Sequence, residues 1–206
     1  MGSLTLGLEE YVTMPEHSHS CHEHAGRSSK GFLNAKKIIS ELDIKEGSTF
    51  LDAGCGVGQF SIAASGVVGA RGNVYALDID HHAISSLKDE IAKKDIKNID
   101  AIISDLTEHI PIGDRSIDVC FMANVMHGFA ANKEVDRVFS EVTRVLKPTG
   151  TLAVVDFKKR FSLGPPKAIR LSPEDVEKII SPLGYKKIRT TSVGLFHYLM
   201  IFKSRV

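Results

Sequence analysis

The segment Asp52-Ala53-Gly54-Cys55-Gly56-Val57-Gly58 constrains this chain more than any other. Ahead of it, Thr49-Phe50-Leu51 is a short apolar run that reads as a strand. Behind it, Ile62-Ala63-Ala64 continues as a small-residue helix. Three glycines at every second position permit backbone turns that side chains would block, and they let a ligand approach the main chain. The free N–H groups of the following helix point into such a loop. In a doubly wound sheet this is the nucleotide-binding position, at the carboxyl end of a strand. Glycines that only terminate a strand are the alternative, and the rest of the chain decides against it.

Downstream, strand and helix patterns alternate. Asn73 to Leu77, Ile99 to Ile103, Ile117 to Met122 and Thr151 to Val155 read as strands. Ile84, Leu87 and Ile91 mark one amphipathic helix, and Val135, Val138, Phe139, Val142 and Val145 mark another. Phe32, Ala35, Ile38, Ile39 and Leu42 give a helix before the loop, which Gly47 is expected to stop. Lys147-Pro148-Thr149-Gly150 is a helix-stop sequence. Pro173 to Leu183 is a helix, with Ser172 as N-cap and Pro173 at its first position. Lys186 to Thr191 and Leu195 to Phe202 are strands joined near Gly194 with no helix between them. Several strands are continuously apolar, as in a parallel sheet covered on both faces. The expected fold is α/β: a seven-stranded, doubly wound, mostly parallel Rossmann-like sheet with a C-terminal antiparallel hairpin at its edge.

A chain of 206 residues suits one such domain. We divide it into a His-rich tail at 1–27 and a domain at 28–206. The formal net charge of +1 offers no broad basic field for a polyanion, so nucleic acid is disfavoured as a partner. Cys21, Cys55 and Cys120 are an odd, widely spaced set that argues against a disulfide framework and for a reducing cytoplasm. No apolar run is long enough to span a membrane, and the polar N-terminus lacks the pattern of a secretory signal.

Asp78 ends the second strand, where a carboxylate can accept hydrogen bonds from two ribose hydroxyls. Asp80 competes for that role, but it precedes His81 and a helix and suits an N-cap. The loop lacks the third glycine position of a dinucleotide site. Asp52 places a negative charge beside it, which repels a pyrophosphate and suits an α-ammonium group. A cationic cofactor that carries an amino acid is therefore favoured.

Phe50 to Gly58 resembles the first motif of class I S-adenosylmethionine-dependent methyltransferases, and the resemblance runs from about Phe32 to Phe202. It is closest to the small members related to ubiquinone- and menaquinone-biosynthesis enzymes. The resemblance implies S-adenosylmethionine as cofactor, held by Asp52, Ala53, Gly54, Cys55, Gly56 and Gly58. It implies further that Asp78 holds the ribose, that Ile79 packs on adenine, and that Asp105 and Leu106 meet the adenine edge. Asn124 to His127 would line the methyl-transfer cleft. The family's usual Pro-Gly-Gly turn is here Pro148-Thr149-Gly150.

The resemblance says little about the acceptor. A small molecule is the expected one, by in-line displacement. The alternatives are a protein or RNA acceptor, or a non-catalytic cofactor- or metal-binding protein of the same fold. His127 is the best general-base candidate, or else it braces a helix. Asp156 to Arg170 is a long rim connection in which Lys158, Lys159 and Arg170 either hold an anionic acceptor or belong to an ordinary solvated loop. His197 and Tyr198 read as sheet packing, and Cys55 and Cys120 as packed residues. His17, His19, Cys21, His22 and His24 match no structural zinc spacing; a solvated tail is the reading, and a soft-metal or metalloid site the alternative. No metal is expected in the domain.

Overall fold

In the computed structural model, which describes residues 33–160 and 164–205, the seven expected strands form one sheet in the order β3-β2-β1-β4-β5-β7-β6. These are β1 Thr49–Ala53, β2 Asn73–Asp78, β3 Ile99–Ile103, β4 Ile117–Ala123, β5 Leu146–Phe157, β6 Tyr185–Val193 and β7 His197–Ser204. The first five pair in parallel; β7 is antiparallel to both β5 and β6. The hairpin is as expected, but its second strand is interior and β6 alone forms the edge. The proposed His/Cys cluster at 17–24 lies outside the described residues.

Among the described residues six α-helices cover the sheet: α1 Ala35–Ser40, α2 Gln59–Val68, α3 His81–Lys93, α4 Met126–Ala131, α5 Val135–Val145 and α6 Pro173–Ile180. Alternate strand residues face opposite layers. Phe50, Phe121, Ala153 and Val155 pack with Ile38 and Ile39 of α1 and Phe60, Ala64 and Val68 of α2. Leu51, Cys120, Leu152 and Val154 pack on the other face with Phe139 and Val142 of α5 and Val176 and Ile180 of α6. Continuous apolar strands are the direct result, because both faces are buried. Phe121 lies between Phe50 and Phe60, at centroid distances of 5.9 and 4.8 Å, and all three are almost fully buried. Each such ring contributes about 1.5–3 kcal/mol through burial.

The caps follow the sequence. The Asp80 carboxylate accepts from the His82 and Ala83 N–H groups at the start of α3, and Ser172 and Asp175 form a capping box at α6. One stop signal acts differently from expectation. α1 ends at Ser40 with Glu41 as its cap, well before Gly47, which instead turns the chain into β1. At the other, α5 ends at Val145 as the Lys147 to Gly150 stop implies, but β5 begins at Leu146 and takes in these residues. Pairing with β4 jumps from Ile117–Leu146 to Val119–Thr151, and this irregularity accommodates a proline that cannot donate to a ladder.

No helix joins β3 to β4. Arg144 of α5 fastens that connection, donating to the Ile110 and Ile112 carbonyls and to Asp114 while pairing with Glu141. Among the described residues no helix is long and apolar enough to cross a membrane.

Candidate functional site

The glycine loop runs from the end of β1 into α2, and each glycine has a positive φ. Their surroundings differ. A Cβ on Gly54 would lie 2.6 Å from Val125 Cγ1, and one on Gly58 would lie 2.2 Å from Leu87 Cδ1. A Cβ on Gly56 would meet nothing within 4 Å. Gly54 thus admits the turn after β4, Gly58 admits α3, and Gly56 leaves open space over the main chain. The loop is held by β2: the N–H groups of Gly54 and Cys55 both donate to the Leu77 carbonyl. Gly56 N–H donates to Asp78 Oδ2 at 2.7 Å, and Asp80 N–H donates to Asp78 Oδ1 at 2.9 Å. Asp78, not Asp80, therefore faces the loop. Ile79 follows with 47% of its surface exposed, an apolar platform at the same rim. Across the β2–β3 end, Asp105 uses one oxygen to accept from Thr107, and Leu106 is buried. Asn124, at the end of β4, has φ +60° and a buried Oδ1 with no partner among the described residues.

Asp52 departs from expectation. It lies wholly buried inside β1, where Ser61 Oγ donates to its Oδ2 at 2.5 Å and its Oδ1 has no partner among the described residues. Burial lifts its pKa to about 7; the neighbouring Asp78 charge adds to the rise and Ser61 opposes it. Burial thus favours the protonated carboxyl, and the fixed negative charge read from sequence is not fixed. Cys55 and Cys120 are buried, and burial pushes both thiols up, so they are protonated and unreactive.

Val125 carries the loop's surroundings to His127, which is the second residue of α4 rather than a residue preceding it. His127 Nδ1 sits 2.8 Å from Asp156 Oδ1, and its own backbone N–H donates to Asp156 Oδ2 at 3.1 Å. Asp156 is fully buried at the end of β5 and also accepts from Phe157 N–H at 2.7 Å. A carboxylate held on three sides fixes the imidazole with Nδ1 toward it, leaving Nε2 as the nitrogen that can accept a proton. The sequence reading found His127 but missed Asp156; the available signal was one acid at the end of the apolar run Leu152 to Val155.

Beside the pair, the Phe157 ring lies 6.4 Å from His127 and 4.1 Å from His197. His197 is 1% exposed, and neither ring nitrogen has a partner among the described residues. Burial lowers its pKa to about 4, with Lys158 and Arg170 adding to the drop and Asp156 opposing it. Lys158, Lys159 and Arg170, weighed from sequence either as acceptor contacts or as part of an ordinary loop, fasten the rim segment. Lys158 Nζ donates to Ser192 Oγ and to the Gly194 and Leu195 carbonyls, and Lys159 pairs with Asp175 at 2.5 Å. Arg170 is 2% exposed, donates to the Pro165 and Lys158 carbonyls, and lies 5.7 Å over Phe157. Tyr198 packs as expected, its hydroxyl donating to the Leu171 carbonyl.

This geometry can be set beside known proteins. The family described as a methyltransferase domain matches residues 44–192. An S-adenosylmethionine-dependent methyltransferase from Aquifex aeolicus superposes with a TM-score of 0.78 at 29% identity, covering 87% of this chain and 94% of that one. The demethylmenaquinone methyltransferase of Bacillus mycoides is 30% identical over 131 residues, 63% of this chain and 53% of that one. The arsenite methyltransferase of Halobacterium salinarum is 34% identical over 110 residues, 53% of this chain and 27% of that one. The chain thus matches about half or less of the length of these two curated relatives.

Proposed function

This chain belongs to the methyltransferase-domain family, with S-adenosylmethionine as its cofactor, and from that premise we propose that it methylates a small molecule whose acceptor atom arrives bearing an acidic proton, with His127 as the base that removes it. The observation that carries this reading is the buried Asp156 carboxylate clamping His127 beside the turn that packs on Gly54.

The residues present fit the cofactor. The space over Gly56 admits a ligand to the main chain, and Asp78 and Ile79 offer a carboxylate and an apolar surface side by side. Asp105 and Leu106 follow β3 and Asn124 follows β4 at the same end of the sheet, and they would complete the set that holds it, with Asp52 and Ala53 at the end of β1 and Cys55 in the loop. When bound, the cofactor supplies a methyl group already activated as an electrophile. The protein's work is to align the acceptor, exclude water and take the proton. His127 Nε2 would accept that proton as the aligned acceptor takes up the methyl group. Asp156 steadies the resulting imidazolium and keeps its orientation.

The relatives' names point at two kinds of acceptor, a quinone-type ring and arsenite. A base suits the acidic hydroxyl of a reduced ring. A thiophilic metalloid asks for accessible thiolates, and of the described cysteines neither Cys55 nor Cys120 provides one, while Cys21 lies outside the described residues. A polyanionic acceptor is also disfavoured, because Lys187 is paired with Glu177 and Arg189 with Glu41. The test is incubation with labelled S-adenosylmethionine and small phenolic or enolic acceptors. Label should enter the small-molecule fraction, and His127→Ala should lower transfer about 10²-fold or more while cofactor binding is kept. Label in protein or RNA, or undiminished transfer by His127→Ala, would overturn the reading.

A further inference from the structure

Asp52 poses a problem that cofactor binding would solve. A carboxylate wholly out of water needs a cation or a full set of donors. Asp52 is supported by one residue, Ser61 of α2, through its hydroxyl and its backbone, and has an oxygen with no partner among the described residues. The ionisable groups that feel it are Asp78 at the end of β2, Cys55 in the loop and Cys120 of β4, and none of these is a cation. Asp78 is anchored at the same loop through Gly56, and its carboxylate works against a second charge at Asp52.

We propose that Asp52 holds a proton in the ligand-free protein and releases it when a positively charged ligand settles over the Gly54–Gly58 loop, so that this buried acid selects for positive charge in the cofactor. The inference rests on S-adenosylmethionine being the ligand of this loop. The ligand offers two positive centres, an α-ammonium and a sulfonium; the demethylated product keeps only the first. A cation held near the loop favours the ionised carboxyl, so the O–H bond breaks and the proton passes to solvent. Ser61 then donates to a full carboxylate. The cost of burying the charge is deferred until the ligand that offsets it has arrived.

Calorimetric titration of the full chain in buffers of different ionisation enthalpy counts the protons. A group that burial keeps protonated should release a substantial fraction of a proton per site below neutrality, and the release should fall away as pH rises toward 9. Asp52→Asn keeps an acceptor for Ser61 but has no proton to give. It should bind S-adenosylmethionine more weakly, with heats independent of buffer. Ser61→Ala removes the donor that favours the ionised form and should shift the release to higher pH. Titration with S-adenosylhomocysteine locates the sensed charge: equal release means the ammonium, and release with the donor alone means the sulfonium, either in accord with the proposal. Wild-type binding without buffer dependence, or Asp52→Asn releasing as many protons as wild type, would overturn it. Absence of any S-adenosylmethionine binding would instead remove the cofactor premise, and this inference with it.

Discussion

Replacing the three loop glycines one at a time by alanine should separate packing from ligand access. At Gly58 the new Cβ meets Leu87 Cδ1 at 2.2 Å, Cδ2 at 2.7 Å and Cγ at 2.9 Å, and Leu87 is fully buried. The φ of +76° adds about 1 kcal/mol of backbone strain for alanine. Overpacking against a buried leucine adds about 1–3 kcal/mol. Gly58→Ala should therefore lose about 2–4 kcal/mol of folding stability, read from urea denaturation. Gly56→Ala has φ +53° and no neighbour within 4 Å, so its stability should fall by only about 1 kcal/mol. Its methyl group, however, occupies the space over the main chain, and S-adenosylmethionine affinity should drop about tenfold or more in calorimetry. Gly54→Ala should resemble Gly58→Ala in stability, through Val125. Adding Leu87→Ala to Gly58→Ala should recover the overlap term but not the strain, giving a coupling of about 1–3 kcal/mol. If Gly56→Ala proves the least stable of the three, or binds the cofactor normally, the division of labour is wrong.

Two further outcomes bear on the fold. His197 is neutral and buried, with its pKa lowered from 6.5 to about 4. The unfolded chain therefore binds more protons between these values, and the stability this residue contributes, present above pH 6.5, drains away as pH falls toward 4, by about 3 kcal/mol in all. His197→Phe should flatten urea midpoints across that window; an unchanged slope would locate the acid sensitivity elsewhere. Arg144→Ala unties the connection between β3 and β4 and should cost about 1–3 kcal/mol, with amide exchange quickened first at Ile110 and Ile112. Uniform exchange across the domain would argue against a local clasp.

Much of this was legible in sequence because the signals were local. The glycine loop, the apolar strands and the caps at Asp80 and Ser172 each depend on residues within a few positions of one another, and each formed as read. What was missed depends on distant partners. Asp156 meets His127 across 29 positions, and Lys158 reaches Leu195 across 37. Residue type alone does not say whether a lysine on a rim loop faces a ligand or a hairpin carbonyl. Helix α4 is six residues long with Gly128 inside it, too short for periodicity to register. Asp52 was recognised as part of the loop, yet its charge state turns on burial within β1, which its immediate neighbours in the sequence do not reveal.

The position of β7 between β5 and β6 bears on how the chain is made. β6 precedes it in sequence yet pairs only with it, so a nascent chain extending through Val193 has produced a strand with no place to dock. Until His197 to Ser204 are synthesised, the apolar edge of β5 from Thr151 to Phe157 also stands open. Such an edge is a template for another strand, including one from a neighbouring ribosome. Closing the sheet therefore depends on a single late segment that completes two pairings at once, and translation arrest just before it would leave the domain with its stickiest surface bare.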